Sequence, residues 1–142
     1  MTYALDTNII IAILGNDKNV EESWETAAAS DSKFIIPPAV DYEIQRGLLY
    51  KPSPKKEKIY FSIRQHYGVG IMTPEMWVKS SHIYVDLRKK GFTVGDDDIF
   101  IAAFCLLNDY TLVTRNTKDF ENIARLQRVN WIDDLGVNRS KK

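Results

Sequence analysis

Hydrophobic positions in this chain fall into short blocks whose period changes repeatedly. Thr2-Tyr-Ala-Leu5 is brief, apolar and partly made of strand formers, and it runs into the polar Asp6-Thr-Asn8. That pattern predicts a buried strand ending in a turn. Ile9 to Leu14 predicts the opening turns of a helix capped near Asp6 or Asn8 and broken by Gly15-Asn-Asp17. A helical period returns from Val20 to Ala29, with Val20, Trp24, Ala27 and Ala28 on one side and Glu21, Glu22 and Glu25 toward water. Lys33 to Ile36 reads as a second strand stopped by Pro37, and Pro38 suits the first position of a helix running through Leu49.

The second half repeats the alternation. Lys55 to Tyr67 predicts a helix after the break at Pro52-Ser-Pro54, followed by a short strand near Val69 to Met72. Thr73 caps a long helix opened by Pro74 and ended by Gly91, with Trp77, Ile83, Tyr84 and Leu87 as its apolar positions. Asp98 to Leu107 is apolar on nearly every side, which predicts a central helix. Thr111 to Thr114 is a strand, Thr117 to Ala124 a short helix and Val129 to Ile132 a last strand. Short apolar strands alternating with helices indicate an α/β fold, a parallel sheet covered by helices on both faces.

The 142 residues suit one domain, residues 1–142, with a basic tail from about 136 containing Arg139, Lys141 and Lys142. The lone Cys105 excludes an internal disulfide, and the longest apolar run is far short of the ~20 residues that span a bilayer. A cytoplasmic protein without a membrane segment is the expectation. Nineteen basic residues balance nineteen acidic ones, which argues against bulk electrostatic capture of nucleic acid but says nothing about where charges sit.

Four acids stand where burial is expected. Asp6 follows the first strand, Glu43 lies inside the helix opened by Pro38, Asp98 begins the apolar helix, and Asp119 follows Thr114-Arg-Asn116. In a doubly wound sheet the carboxyl ends of the strands form one rim where ligands gather. Asp6, Asn116 and Asp119 share that rim, and Asp98 meets it from another helix. Ala39 and Gly47 lie on the face of Glu43 and leave it room. Carboxylates crowded in one cleft repel and rise in pKa unless a cation sits among them, and a hard divalent cation answers that best. With only His66 and His82, no zinc spacing exists. Each acid alone also has an ordinary explanation: Asp6 as a helix cap, Glu43 as a solvated helical acid, Asp98 as a charge favoured by the helix dipole, Asp119 as a surface group. Thr114 and Asn116 equally suit capping.

Leu5-Asp-Thr-Asn-Ile9, Glu43-Ile-Gln-Arg-Gly47, Asp98-Ile-Phe-Ile-Ala-Ala103 and Thr114-Arg-Asn-Thr-Lys-Asp-Phe120, in that order and spacing, resemble the PIN domain, and most closely its VapC-type toxins of bacterial toxin–antitoxin pairs. The likeness runs from the first strand to Trp131. It implies a three-layer fold with a mostly parallel sheet, commonly ordered 3-2-1-4-5. It also implies an endoribonuclease dependent on Mg²⁺ or Mn²⁺ that cleaves structured RNA such as tRNA or rRNA. Carried over by motif, Asp6, Glu43 and Asp98 are the principal metal-binding acids and Asp119 the more variable fourth. Thr114 and Asn116 resemble the polar pair that orients water or the acids. Asp98 keeps the family's distance to Ile101-Ala-Ala103, though Asp96 remains open as a metal neighbour.

Arg115 and Lys118 flank the fourth motif and are the candidates for RNA-phosphate contact. The resemblance further implies a homodimer and an antitoxin partner seated on the stretch from Ile44 to Phe61. Three other readings stay open: a PIN nuclease of RNA maturation or DNA processing outside any toxin pair, a phosphoacceptor- or phosphatase-like α/β domain, and a non-catalytic RNA-binding or scaffold module.

Overall fold

Four short strands carry the architecture, and the two central ones are apolar enough to be covered on both faces. The structure, a computed structural model, describes residues 1–130. In chain order the elements are β1 (Thr2–Leu5), α1 (Thr7–Leu14), α2 (Lys18–Ala29), β2 (Lys33–Ile35), α3 (Pro38–Tyr50) and α4 (Pro54–Tyr67). Then come α5 (Pro74–Lys89), α6 (Asp96–Asn108), β3 (Thr111–Val113), a 3₁₀ turn (Thr117–Phe120) and β4 (Arg128–Val129). The sheet is parallel throughout, in the order β2-β1-β3-β4. Ala4, Leu5, Leu112 and Val113 are fully buried, as expected for a parallel sheet with helices on both sides.

A fifth strand position survives as one parallel bridge, Ile36 to Val69. Lys33 turns its N–H toward β1, donating to Met1 O at 3.0 Å; Ile36, three residues on, presents its polar groups to the opposite side. There its N–H donates to Gly68 O at 3.1 Å and its carbonyl accepts from Gly70 N at 2.8 Å. Counting the bridge, the sheet reads 3-2-1-4-5. The segment from Val69 to Met72 does not form the strand that its composition predicts. Gly68 has a φ of 87°, which ends α4 rather than opening a strand, and the Phe104 ring occupies the space a side chain at Gly70 would need.

The helix boundaries follow their caps. Asp6 caps α1, Asp17 caps α2, Ser53 caps α4 and Thr73 caps α5 through side-chain oxygens that accept backbone N–H groups. α6 starts at Asp96, two residues earlier than its apolar run predicts, because Gly95 takes the cap position and three acids fill the first turn. The predicted helix over 117–124 shrinks to the 3₁₀ turn. The predicted last strand is seen as β4, and its expected end at Ile132 lies outside the described residues, as does the basic tail.

Two helical faces differ from their predicted stripes. On α2 Ser23 is buried and Ala28 exposed; on α5 the buried row is Met76, Ser80, Ile83 and Leu87, while Trp77 and Tyr84 face outward. Trp77 and Tyr84 are one residue off a row whose middle member is a serine, so hydrophobicity alone selects the wrong side.

α3 is clamped to α4 by Asp41, whose Oδ1 accepts from Tyr60 Oη at 2.6 Å and from Arg64 Nε at 2.9 Å. That clamp fixes the helix that carries Glu43.

Two glycines give opposite expectations. A Cβ at Gly70 would overlap the buried Phe104 ring, so Gly70→Ala should destabilise the protein by about 2 kcal/mol. Gly47 lies inside α3 with nothing within 4 Å of an added Cβ, so Gly47→Ala should stabilise by about 0.5–1 kcal/mol through helix propensity. Urea denaturation measures both, and shifts of the same sign would contradict this packing.

Candidate functional site

The site is built on Asp6, which is almost wholly buried where β1 meets α1. Its Oδ1 accepts the Thr7 N–H at 2.8 Å, and its Oδ2 accepts the Thr114 hydroxyl at 2.7 Å. Its own N–H donates to Val113 O at 2.9 Å. Thr114 is itself fully buried just past β3, and its oxygen accepts from Asn8 Nδ2 at 3.3 Å and from Asn116 N at 3.0 Å. Asn8 closes the loop, because its Oδ1 accepts from Arg115 N at 3.1 Å. The ends of β1 and β3 are thus tied into one hydrogen-bonded rim. Asn116 joins it through its backbone N–H, and its side chain is exposed.

Around Asp6 the chain gathers further acids, and the exposed Arg46 guanidinium is within electrostatic reach of Glu43 and Asp97. Burial, followed by the neighbouring charges of Asp97, Asp6, Asp119 and Glu43, pushes the Asp98 carboxyl up to about 7. Burial also raises Asp6, against the lowering effect of its Thr114 and Thr7 hydrogen bonds, with Asp97 and Asp119 adding to the rise. Glu43 is raised by burial and then by Asp97. The Thr7 hydroxyl is near enough to Glu43 to oppose that rise, yet Thr7 Oγ1 and Glu43 Oε1 are both buried without a partner at hydrogen-bonding geometry among the described residues.

Asp6 and Thr114 are in direct contact; Glu43, Asp98 and Asp119 share their electrostatic field. Asp119 is exposed at the edge. Asp97, left out of the motif-based set, is the acid of its run that couples to Asp6, Glu43 and Asp98, and it lines a cavity with Glu43. Its signal was the triple acid after Gly95: a side chain at position 95 would come within 2.8 Å of Asp97 Oδ1. Asn8 was also underrated, since its amide joins α1 to the end of β3. Of the two candidate phosphate contacts, Arg115 is engaged with Asp17 at 3.4 Å, while Lys118 is exposed and forms no ion pair among the described residues.

The donors suit a hard cation: every group is an oxygen, several carry uncompensated charge, and Glu43 Oε1 is an orphaned buried acceptor. Among the described residues no three acids, histidines or cysteines are arranged closely enough to hold a metal ion by themselves. A cation fitted here would keep part of its own water, as Mg²⁺ does. No helix of the described residues is long and apolar enough to cross a membrane.

Comparison with known proteins supports the fold. Ribonuclease VapC2 of Rickettsia felis is 28% identical over 135 residues, covering 92% of this chain and 98% of that protein. Ribonuclease VapC1 of Haemophilus influenzae is 25% identical over the same coverage. Among solved structures, VapBC2 from Rickettsia felis bound to a promoter DNA fragment superposes with a TM-score of 0.84 at 24% identity, covering 92% of this chain and 99% of that one. VapBC-1 from nontypeable Haemophilus influenzae gives 0.81 at 23% identity, covering 92% and 98%. Residues 3–126 match the PIN domain, and with the parallel sheet and the acidic rim on the same segments the chain belongs to that family.

Proposed function

We propose that this protein is a Mg²⁺- or Mn²⁺-dependent endoribonuclease acting on structured RNA, tRNA or rRNA, and that it is the toxin of a type II toxin–antitoxin pair. The observation that carries the reading is the group of mutually repelling carboxyls around Asp6, held in place by Thr114 and outnumbering the one exposed guanidinium, Arg46, that Glu43 and Asp97 feel. Its similarity to proteins named as VapC ribonucleases supports it.

Asp6, Glu43 and Asp98 would hold the ion, with Asp97 and Asp119 adjusting the field around it. When bound, such an ion activates water and offsets charge on the phosphorus in the transition state. The protein supplies rigidity. Asp6 cannot rotate, because both its oxygens are engaged and α1 begins on one of them. Thr114 donates its only proton to Asp6 and so keeps that carboxyl an acceptor on the side away from it. Lys118, exposed beside Asp119, supplies positive charge where the RNA backbone must approach an acidic rim.

Partner surfaces fit the same reading. A cavity of about 380 Å³ between α1, α3 and the start of α4 is lined by Ile11, Leu14, Ile44 and Leu48, with Lys51 and Lys56 at its rim. Glu43 also lines it, and an apolar antitoxin segment with acidic flanks complements it. It overlaps the expected stretch from Ile44 to Phe61 and adds α1 to it. A homodimer would cover the outer face of α5, where Val78, Tyr84 and Val85 are exposed.

Asp6→Asn and Asp98→Asn should each lower RNA cleavage at least about a hundred-fold while leaving circular dichroism unchanged. Chelation should abolish cleavage and Mg²⁺ restore it. Cleavage retained by both purified variants would remove the proposed chemistry.

The raised carboxyls also set a pH dependence. In the unfolded chain they ionise near their ordinary values, whereas the folded Asp98 keeps its proton up to about 7. The native state therefore binds more protons between those values, and stability without divalent cations falls as pH rises through that window. Asp98→Asn should flatten the fall and gain roughly 1 kcal/mol at pH 8, the modest size reflecting solvent screening of a partly exposed carboxylate. Thermal melts at pH 5 and pH 8 measure it; an Asp98→Asn chain no more stable at pH 8 would contradict the assigned repulsion.

A further inference from the structure

Beside the acidic rim lies a second cavity, of about 570 Å³, between α3, α5 and the start of α6. It shares Glu43 and Asp97 with the rim, so whatever fills it is continuous with a group held at the acids. Its other walls are of a different kind. Tyr42 of α3 and Trp77 of α5 both line it with 63% and 48% of their surfaces exposed, and Phe100 and Met72 complete the apolar lining. Its volume is in the range of small-molecule sites.

The aromatic walls are fixed rather than loose. Trp77 meets Phe100 edge to face, with ring centroids 4.9 Å apart and planes at 79°. Thr73 caps α5, which puts Met72 just before the cap and Trp77 in the first turn, the positions a hydrophobic staple uses. The device that starts α5 thus also builds the wall. On the other side the Arg46 guanidinium lies 5.1 Å from the centroid of the Tyr42 ring, putting one positive charge at the mouth of an otherwise acidic cleft.

We propose that this cavity is a nucleobase subsite, in which an unpaired base next to the scissile phosphate stacks against Trp77 and Tyr42 while Arg46 meets the adjoining phosphate. The proposal rests on the ribonuclease reading above and deepens it. The argument is one of matching surfaces. An RNA strand crossing the acidic rim offers sugar and phosphate, which are polar, and bases, which alone have flat apolar faces. An aromatic slot that opens onto the acids, carries a single cation and has no lysine fits the base and its phosphate. Stacking of this kind tolerates any base face, so the subsite demands an unpaired nucleotide more strictly than a particular sequence. That would bias cleavage toward loops and bulges.

The test uses the full chain carrying Asp98→Asn, so that RNA is bound without being cut, and short synthetic oligoribonucleotides in which one abasic ribose is walked along the strand. Affinity should drop about ten-fold when the abasic site falls at one particular position. Adding Trp77→Ala should cost a similar factor with the intact oligonucleotide and erase the dependence on the abasic site, while Trp77→Phe retains most of the affinity. Equal binding by the Trp77→Ala chain, with the abasic penalty unchanged, overturns the subsite and leaves the ribonuclease reading standing. If Trp77→Ala instead shifts the sedimentation of the chain from dimer to monomer and the abasic penalty persists, the face belongs to a second copy and the proposal fails. If the unsubstituted chain neither binds nor cleaves any RNA offered, the ribonuclease reading fails and the subsite with it.

Discussion

The buried carboxylate of Asp6 is the constraint on which the rest of the site depends. A carboxylate placed beneath the protein surface is costly unless its oxygens are hydrogen-bonded, and here both are. One bond begins α1, and the other, to Thr114, reaches a residue 108 positions away in the chain. Asp6 N–H to Val113 O extends the tie into the β1–β3 ladder. Because these bonds join a cap, a strand end and a buried hydroxyl, no one of them can shift alone. The rim is therefore set by the same contacts that close the sheet.

On that rigid base the protein assembles a destabilising feature. Asp97 and Asp98 enter from the first turn of α6, where the helix dipole favours negative charge. The dipole is worth too little to offset burial and several like charges, so Asp98 remains protonated up to about 7. Glu43 arrives on α3, steadied by the clamp of Asp41 on Tyr60 and Arg64, and its buried Oε1 has no partner. A fold selected for stability alone would replace such groups with amides or apolar side chains. Their concentration in one place marks a candidate functional site.

Much of this was legible in the sequence, for local reasons. Caps and prolines announced where α1, α3, α4 and α5 begin, and the alternation of short strands with helices announced the parallel sheet. Asp6 was identifiable because it ends a strand and starts a helix at once. The acids of α6 were harder. Three consecutive aspartates differ only in which way a helical turn points them, and that depends on where Gly95 places the cap. Asp97 therefore emerged only from geometry. Trp77 and Tyr84 misled for a related reason: Ser80 holds a buried position by donating its hydroxyl to Met76 O at 2.8 Å, so the buried row of α5 is less apolar than the exposed one beside it. The Val69–Met72 segment is extended by composition but is limited to one bridge by two glycines and the Phe104 ring.

The balance of nineteen acids against nineteen bases takes on a different meaning once the charges have places. Several acids are concentrated at the rim, so the surface elsewhere carries a net positive share, and a neutral total is a sum over regions of opposite sign. Glu43 sits where those regions and both cavities meet, lining the apolar groove with Ile11 and Ile44 on one side and the aromatic slot with Tyr42 and Trp77 on the other. A segment seated in the groove would meet Glu43 without entering the slot, because that one carboxyl lines both. At Glu43 burial and Asp97 already make a proton or a positive charge welcome, so an occupant of either cavity gains by bringing a cationic or hydrogen-bond-donating end there.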